Sequence, residues 1–264
     1  FNNRSATVFW SIVSIAALAT LPSYDFRSYW YAGESATDAI CDDHHGYQVE
    51  FVSQQPLLIH IQNFVSPSEA AYFTSILAQN YTHKLYVDEE DVKKKVAPRL
   101  AVLNQHDDFV KCILNRAQRF LGSMGSPDFE LLSLARYSVP HQVRLHSDAS
   151  QEPFMDSKTK RRYNRKTSFF VYIHASDDLE GGETIFPRIP YPLDMGLTAN
   201  SGIVSIQNTS GVPALAVKPV SRSAVFWVGV KKDGTVDFDT IHEGLPLTKG
   251  EKIGMNIWAK HYID

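Results

Sequence analysis

The pattern of apolar and polar positions along the chain changes character near residue 129. Before that point, apolar residues recur at helical spacing; after it, short runs alternate in the way that is typical of strands. Gly, Pro, Asn and Asp separate these runs, which lie at 129–139, 143–149, 167–175, 184–189, 202–208, 214–220, 223–230 and 252–260. Short strands without intervening helices predict a double-sheet jelly roll or barrel.

An amphipathic helix is predicted ahead of these strands, directly after a strand-like run at 56–64. Ser66 suits the N-cap, Pro67 suits the first helical position, and Glu69 completes a capping box. Apolar residues at helical spacing continue the pattern to about residue 81. We therefore expect a mainly β chain with N-terminal helices and a jelly-roll core.

Two His-x-Asp triplets occur in the chain, and the first lies at the start of a second predicted helix. That helix runs from about Asp107 to Leu121 and ends at Gly122. Asp107 or Asp108 suits the N-cap, where a carboxylate accepts hydrogen bonds from backbone amides. His106 is therefore interpreted as a neighbour of the helix start, and no metal role is expected for it.

The second triplet lies in a strand-like run, where it suits metal binding better. His146 and Asp148 are two residues apart, and alternate residues of a strand point to the same face. Two ligands are too few, and His174, His242 and His261 are candidates for the third. Two histidines and one carboxylate form the facial arrangement of non-haem Fe(II) oxygenases, which leaves coordination positions open.

An ordered set of motifs around this triplet resembles the prolyl 4-hydroxylase branch of the 2-oxoglutarate- and Fe(II)-dependent dioxygenases. The set covers about residues 56–262, and its order and spacing are more specific than one triplet. It comprises, in chain order, IHIQNFVSPSEAAYF, Tyr137, His146-x-Asp148, Arg165-Lys166-Thr167 before SFFVYIH, GGETIFP at 181–187, VKPVSRSAVFW at 217–227, His242, Lys252 and Trp258. The resemblance implies the double-stranded β-helix fold.

The resemblance also implies which residues hold the metal and the co-substrate. His146, Asp148 and His242 would hold Fe(II) as the catalytic centre. 2-Oxoglutarate and O₂ would use the coordination positions that remain, and ascorbate would support activity. Lys252, ten residues beyond His242, would pair with the C5 carboxylate of 2-oxoglutarate.

Three more residues take cofactor-binding roles from the same resemblance. Tyr137 and Thr184 would donate hydrogen bonds to 2-oxoglutarate, and Trp258 would pack near it. Each has an alternative interpretation, because Tyr137 and Trp258 also suit an aromatic core and Thr184 also suits a sheet face.

The reaction implied is oxidation of an organic substrate, most directly C–H hydroxylation, with release of succinate and CO₂. Halogenases of the superfamily lack the carboxylate ligand, whereas Asp148 fills that position here. The substrate could be a prolyl-containing peptide or a small molecule, and desaturation or cyclisation of a small molecule stays an alternative. A catalytically silent jelly-roll binding module is a further alternative, which predicts damaged ligands.

A polar, basic segment at 150–168 follows the metal triplet and is predicted as a loop near the mouth of the site. Its cations could attract an acidic substrate, although a solvated loop is the simpler interpretation. Together with 188–200, this loop could form a lid that excludes water. The cations are Lys158, Lys160, Arg161, Arg162, Arg165 and Lys166.

The N-terminal part of the chain predicts targeting rather than catalysis. Residues 1–24 contain an apolar run that suits a signal or anchor segment and possible membrane anchoring, and a buried helix is the alternative. Residues 25–55 are interpreted as a lead-in, which includes the Asp42–His45 cluster, and 56–264 as the dioxygenase domain. A secretory location in the endoplasmic reticulum, or a membrane-anchored one, is expected.

Charge and cysteine content add little to this picture. The formal net charge of −3 gives no reason to expect nucleic acid as a partner. The only cysteines, Cys41 and Cys112, could form one disulfide or stay free. Asn-x-Ser/Thr sequons at Asn3, Asn80 and Asn208 permit a secretory location without requiring it.

Overall fold

The computed structural model describes residues 41, 46–79, 98–124, 128–190, 202–209 and 212–263. Several predictions concern residues outside these ranges. They are the signal or anchor segment (1–24), the lead-in up to residue 40, the Asp42–His45 cluster, the sequons at Asn3 and Asn80, and the 191–200 part of the suggested lid.

Strands dominate the described residues, as the sequence pattern predicts. In chain order the elements are β1 (Gln48–Gln54), β2 (Leu57–Gln62), α1 (Pro67–Gln79), β3 (Arg99–Val102), α2 (Asp108–Leu121), β4 (Ser133–Ser138), β5 (Val143–His146), β6 (Phe154–Met155), β7 (Arg162–Ala175), β8 (Glu180–Gly181), β9 (Thr184–Pro190), β10 (Val204–Thr209), β11 (Val212–Val217), β12 (Ser223–Val228), β13 (His242–Gly244), β14 (Leu247–Lys249) and β15 (Glu251–Tyr262). Short 3₁₀ turns lie at Gly122–Met124 and Phe238–Thr240.

Two antiparallel sheets face each other and form the jelly roll. The larger sheet has the order β1-β2-β12-β7-β15-β4-β3, with β6 paired to β7 at one end. The smaller sheet has the order β10-β11-β9-β13-β5. The predicted fold class, mainly β with N-terminal helices and a jelly-roll core, is confirmed.

The larger sheet has a separate core on each face. Its outer face packs against α1 and α2 through apolar side chains such as Phe169, Val171 and Met255. Its inner face packs against the smaller sheet, where residues such as Phe186 and Leu215 complete the cluster. Because side chains alternate along a strand, one strand can serve both cores.

The start of α1 is fixed by the predicted capping box and by an ion pair to α2. The Glu69 amide donates to Ser66 Oγ at 3.2 Å, and the Ser66 amide donates to Glu69 Oε2 at 2.7 Å. Arg116 of α2 also donates to both Glu69 oxygens, at 2.8 and 2.9 Å, although both side chains are buried. A buried charge pair of this kind is satisfied only in one geometry, so it orients the two helices.

The N-cap predicted for the first His-x-Asp triplet is confirmed at α2. The Asp107 carboxylate accepts from the Val110 amide at 3.2 Å, which makes it the N-cap. The helix ends at Gly122, whose φ of 51° is a backbone conformation that favours glycine. Asp107 also accepts a hydrogen bond from the Tyr72 hydroxyl, so its oxygens serve the helix packing.

Cys41 and Cys112 form a disulfide, which resolves the two possibilities left by the sequence. The bond joins positions 71 residues apart and ties Cys41 to the buried face of α2.

β1 lies within the segment predicted as a lead-in and pairs with β2 along its length. Regular structure in the described residues therefore begins before residue 56, because β1 continues the larger sheet.

No helix in the described part of the chain combines the length and the apolar character that crossing a membrane requires.

Candidate active site

His146 and His242 lie opposite each other on two neighbouring strands of the smaller sheet. His146 ends β5 and His242 begins β13, and the two residues are direct cross-strand partners. Their ring centroids are 4.3 Å apart. The imidazoles therefore meet although 96 positions of sequence numbering separate them, because the antiparallel register places them side by side.

Asp148 completes the group, but from a loop rather than from the strand that the sequence predicts. β5 ends at His146, and the chain then turns. The turn is clasped to β7, since Asn164 accepts from the Ser150 amide at 3.0 Å and donates to the Ser150 carbonyl at 2.7 Å. Asp148 Oδ1 lies 3.6 Å from His146 Nε2, so the i and i+2 pair still converges.

The three side chains can each offer one atom to a common ion. One ligand atom from each of His146, Asp148 and His242 lies within 4.8 Å of the other two. Both histidines engage a backbone carbonyl through Nδ1: His146 that of Arg144 at 2.8 Å and His242 that of Thr240 at 3.1 Å. With the proton on Nδ1, both Nε2 atoms carry the lone pair that a metal needs.

The protonation states of His242 and Asp148 suit a metal site. Burial lowers the pKa of His242 to about 4, so this imidazole is neutral at physiological pH. Burial by itself raises the pKa of Asp148, but the neighbouring His146 and His242 outweigh it and hold this pKa below its usual range. Among the described residues, the buried Asp148 Oδ2 has no hydrogen-bond partner, as expected for an atom that awaits a ligand.

Lys252 lies on the inner face of β15, fully buried. Its ammonium donates to the Gly182 carbonyl and lies 4.8 Å from the ring centroid of Tyr137. Burial lowers the pKa of Lys252 to about 7. Within the ranges that the structure describes, no carboxylate forms an ion pair with Lys252. A buried ammonium needs an anionic partner, and a carboxylate group of a ligand would supply one.

Gly181 and Gly182 permit the close approach of the backbone to this ammonium. Both have positive φ, 79° and 76°, which favours glycine. A Cβ on Gly182 would lie 3.0 Å from the Leu247 side chain and 3.5 Å from that of Lys252. The paired glycines therefore shape one wall of the Lys252 pocket.

Tyr137 and Thr184 line the same pocket as Lys252. Tyr137 is the cross-strand partner of Lys252. The Thr184 hydroxyl accepts from the Tyr172 hydroxyl at 2.7 Å and keeps its own proton for a further acceptor. Sequence reasoning did not identify Tyr172, although its place in the SFFVYIH run and the alternation of strand residues would have indicated an inward side chain.

Comparison with known proteins agrees with this geometry. Residues 132–260 match the family model for the 2OG-Fe(II) oxygenase superfamily. The chain is 26% identical over 218 residues to prolyl 4-hydroxylase 1 of Arabidopsis thaliana, covering 80% of this chain and 71% of that protein. It is 30% identical over 156 residues to prolyl 4-hydroxylase subunit alpha-2 of Gallus gallus, covering 59% of this chain and 24% of that protein.

Residues 132–260 of the chain belong to the 2OG-Fe(II) oxygenase superfamily. A solved structure, the viral collagen prolyl hydroxylase vCPH from Paramecium Bursaria Chlorella virus-1 in its 2OG complex, shares the fold. It superimposes with a TM-score of 0.52 at 21% identity, over 77% of this chain and 95% of that one. The fold, the His-Asp-His group and the sequence relatives together make the protein an Fe(II)- and 2-oxoglutarate-dependent dioxygenase.

In this dioxygenase, different residues would bind the metal and the co-substrate. His146, Asp148 and His242 would hold Fe(II), which when bound activates O₂ for substrate oxidation at the expense of 2-oxoglutarate. Lys252 would bind the far carboxylate of 2-oxoglutarate, and Thr184 would donate a hydrogen bond to it. Phe186 and Trp227 pack against the His242 ring, at 5.5 and 4.6 Å between centroids, and keep water from that side.

Trp258 is buried on the inner face of β15, but it lies away from Lys252. Six residues of strand, about 20 Å, separate the two. The Arg165 guanidinium lies 3.6 Å from the Trp258 ring centroid and forms an ion pair with Glu130 at 2.6 Å. The structure therefore places Trp258 beside the Arg165–Glu130 pair, and its predicted contact with 2-oxoglutarate stays a prediction.

The predicted basic loop at 150–168 is partly wrong. Residues from Arg162 onward belong to β7, and Arg165 is buried and neutralised by Glu130. A β-bulge explains why it points inward: Thr167 pairs with Ala259 and Arg165 with Lys260, which leaves Lys166 as an extra residue. The bulge reverses the alternation, so Arg165 joins the inner face instead of the helix-facing one.

The other candidates for the third ligand are not part of the site. His174 pairs with Ile253, whose side chain belongs to the outer core, and His261 is exposed near the end of β15. Periodicity alone could not select among the three histidines, since all lie in or beside strand-like runs.

Proposed function

We propose that this dioxygenase hydroxylates a prolyl residue in a peptide or protein substrate. The reaction would insert one oxygen atom of O₂ into a C–H bond of the substrate, and the other would enter succinate as 2-oxoglutarate loses CO₂. The relatives from Arabidopsis thaliana and Gallus gallus, both named prolyl 4-hydroxylases, support this substrate class.

The observation that carries the proposal is the unequal exposure of the metal-binding group. The His146 side chain is 39% exposed, whereas those of Asp148 and His242 are buried. The centre is thus reached from the protein surface on its His146 side. A site that opens to the surface suits a residue presented by a long chain, whereas small-molecule sites usually enclose most of their ligand.

The test is turnover on matched peptides. The protein is incubated with Fe(II), 2-oxoglutarate and ascorbate, which we propose supports activity, and with proline-rich peptides. Succinate and the gain of one oxygen atom by the peptide are both measured. We expect the two to rise together, and no gain when the prolines are replaced by alanine.

A different result would redirect the assignment. Succinate formed without any oxidised peptide, together with oxidation of a compound from a small-molecule panel, would contradict the prolyl substrate and favour a tailoring oxygenase.

We also propose that the protein works in the secretory pathway, with the apolar segment at 1–24 as its signal or membrane anchor. The Cys41–Cys112 disulfide supports this, because such bonds persist in oxidising compartments and are rare in the cytosol. The test is to alkylate free thiols while cells that express the full chain are lysed, before thiol–disulfide exchange can occur. Unmodified cysteines joined in a disulfide are expected, and alkylation of both would contradict the location.

A further inference from the structure

The hairpin formed by β6 and β7 carries a charge opposite to that of the whole protein. Residues 151–166 contain six Lys or Arg and two Asp or Glu, whereas the full chain has a formal net charge of −3. Among these groups, Arg165 pairs with Glu130 and Asp156 pairs with Lys260. The exposed tip of the hairpin, which includes Lys158 and Lys160, is therefore strongly cationic.

The tip is held in one conformation by the buried Asp156 carboxylate. Asp156 Oδ1 accepts from the backbone amides of Lys158 and Thr159 at 2.8 and 2.9 Å. Its Oδ2 accepts from the Lys260 ammonium and from the Tyr262 hydroxyl, the latter at 3.0 Å. The lysines of the tip thus project from an ordered turn, which lowers the entropic cost of binding an anion there.

The Arg161 side chain reinforces this turn. Its guanidinium lies 4.2 Å from the ring centroid of Tyr262, a cation–π geometry. The backbone closes beneath it, since the Asp156 amide donates to the Arg161 carbonyl at 3.0 Å and the Lys160 amide donates to the Asp156 carbonyl at 2.9 Å.

The base of the same hairpin is attached to the metal-binding loop. Ser150, two residues after Asp148, is bound to Asn164 by the paired hydrogen bonds described above. Asn164 lies near the start of β7, which begins at Arg162, and the four residues back to Lys160 in the turn span at most about 13 Å. A short extended peptide could therefore reach from Lys160 to the metal-binding group.

We propose that Lys158 and Lys160 bind an acidic segment of the peptide substrate, about four to six residues from the residue that is oxidised. This spacing follows from the hairpin length, because an extended peptide covers about 3.3 Å per residue. The proposal rests on the peptide substrate proposed above and adds a charge requirement to it. The tip would select substrates by electrostatic attraction. This contact would also position the substrate residue that is oxidised at the metal-binding group.

The experiment compares two proline-containing peptides that differ only in charge. One carries two glutamates about five residues from the proline, and the other carries glutamines there. We expect kcat/KM to be about three- to tenfold higher for the acidic peptide at low salt, a range typical of a few exposed ion pairs. The preference should vanish near 1 M NaCl, where the Debye length is about 3 Å.

Charge reversal of the tip provides the matched test. The Lys158→Glu/Lys160→Glu variant should lose the preference, so that kcat/KM for the acidic peptide no longer exceeds that for the glutamine peptide. Lys111 and Lys249 are exposed lysines elsewhere, each close to acidic residues. The Lys111→Glu/Lys249→Glu variant makes the same change in net charge and should keep the preference.

Failure of this proposal is distinguishable from failure of the prolyl assignment. If both peptides are hydroxylated equally by the unmodified protein, the hairpin has no such role, whereas hydroxylation itself stands. If neither is hydroxylated, the prolyl assignment fails, and binding of fluorescently labelled peptides to the Mn(II)- and 2-oxoglutarate-loaded protein still decides the charge contact. Equal affinity for the two labelled peptides would overturn it.

Discussion

The two faces of the β7–β15 strand pair are built from the same strands and serve different purposes. The outer face presents Phe169, Val171 and Met255 to the helices, and Thr167 at its end is a buried polar exception. The inner face presents Tyr172 and Lys252, among other polar side chains, to the interior of the jelly roll. The alternation of strand residues therefore separates the groups that stabilise the fold from those that perform chemistry.

The interior that this inner face lines holds polar groups that are buried without a full set of partners. In the described part of the chain, Asp148 Oδ2, from the loop after β5, has no hydrogen-bond partner, and Lys252 has no carboxylate partner. Each such group costs about 1–3 kcal/mol when it loses water without gaining a partner. Metal and 2-oxoglutarate would supply those partners, so binding them should stabilise the folded protein.

The largest effect, a loss of turnover, should come from replacing Asp148, in the loop after β5, by alanine. Loss of the carboxylate ligand should lower turnover by at least about a thousandfold, since even residues that only support a metal ligand are worth about 10- to 100-fold. Succinate release coupled to peptide oxidation measures this. The midpoint of thermal unfolding without metal should fall only slightly, because the buried carboxylate loses its contact with His146 but no apolar core contact is lost. Full coupled turnover by the variant would show that the metal assignment is wrong.

On the outer face, Phe169→Ala should act on stability instead. Phe169 is fully buried and contacts the rings of Phe64, Phe120 and Phe226. The lost contacts and the cavity should lower the free energy of unfolding by about 3–5 kcal/mol. Urea unfolding measures this, and turnover per folded molecule should be retained. A loss of turnover in fully folded protein would contradict the assignment of the outer face to stability alone.

An intermediate effect is expected from Lys252→Met, which keeps the length of the side chain and removes its charge. 2-Oxoglutarate should bind about 30- to 100-fold more weakly, because its far carboxylate would lose a buried partner. The free energy of unfolding of the ligand-free protein should stay equal or rise, since a buried cation is removed. Titration calorimetry and urea unfolding test the two parts. Unchanged affinity would place the co-substrate anchor elsewhere.

The smallest effect, on pH dependence, follows from the same lysine. Because burial lowers the pKa of Lys252 to about 7, the free protein carries it largely neutral at pH 8. Binding of a carboxylate requires the ammonium, so about 0.9 proton should be taken up per 2-oxoglutarate at pH 8 and about 0.1 at pH 6. Affinity should correspondingly fall about tenfold per pH unit above 7.

Calorimetry in buffers of different ionisation enthalpy measures this uptake in the metal-loaded protein. The Lys252→Met variant is the control and should show no uptake from this position. Proton uptake that is the same at both pH values would mean that another group titrates.

The sequence predicted the two helices and the long strands well, because both depend on local periodicity. The capping box of α1 and the Asp107 N-cap were also accessible, since their partners lie within three residues. The short strands β3, β6, β8, β13 and β14 were missed, because two to four residues carry no measurable period. β1 was missed because the polar residues around it resemble a linker.

The site shows the same division between local and long-range information. The metal ligands and Lys252 could be identified only through an ordered set of motifs, and their convergence depends on the register of β5 with β13. Neither the Arg165–Glu130 pair nor the Asn164 clasp could be predicted, because each joins segments that only the fold brings together. The segment around Arg165 was interpreted as a loop since its charges outweighed its strand propensity.

Lys166 is an extra residue that the pairing of β7 with β15 leaves without a partner position. Because the bulge holds this residue outside the ladder, deleting it would restore regular pairing and leave Arg165 opposite Lys260 on the inner face, beside Glu130. Closing the bulge without a deletion would instead turn every residue on the N-terminal side to the opposite face, and Glu130 would lose its cation. The chain therefore has a one-residue length allowance at this position, which keeps the loss of a single codon from exchanging the two faces of the strand.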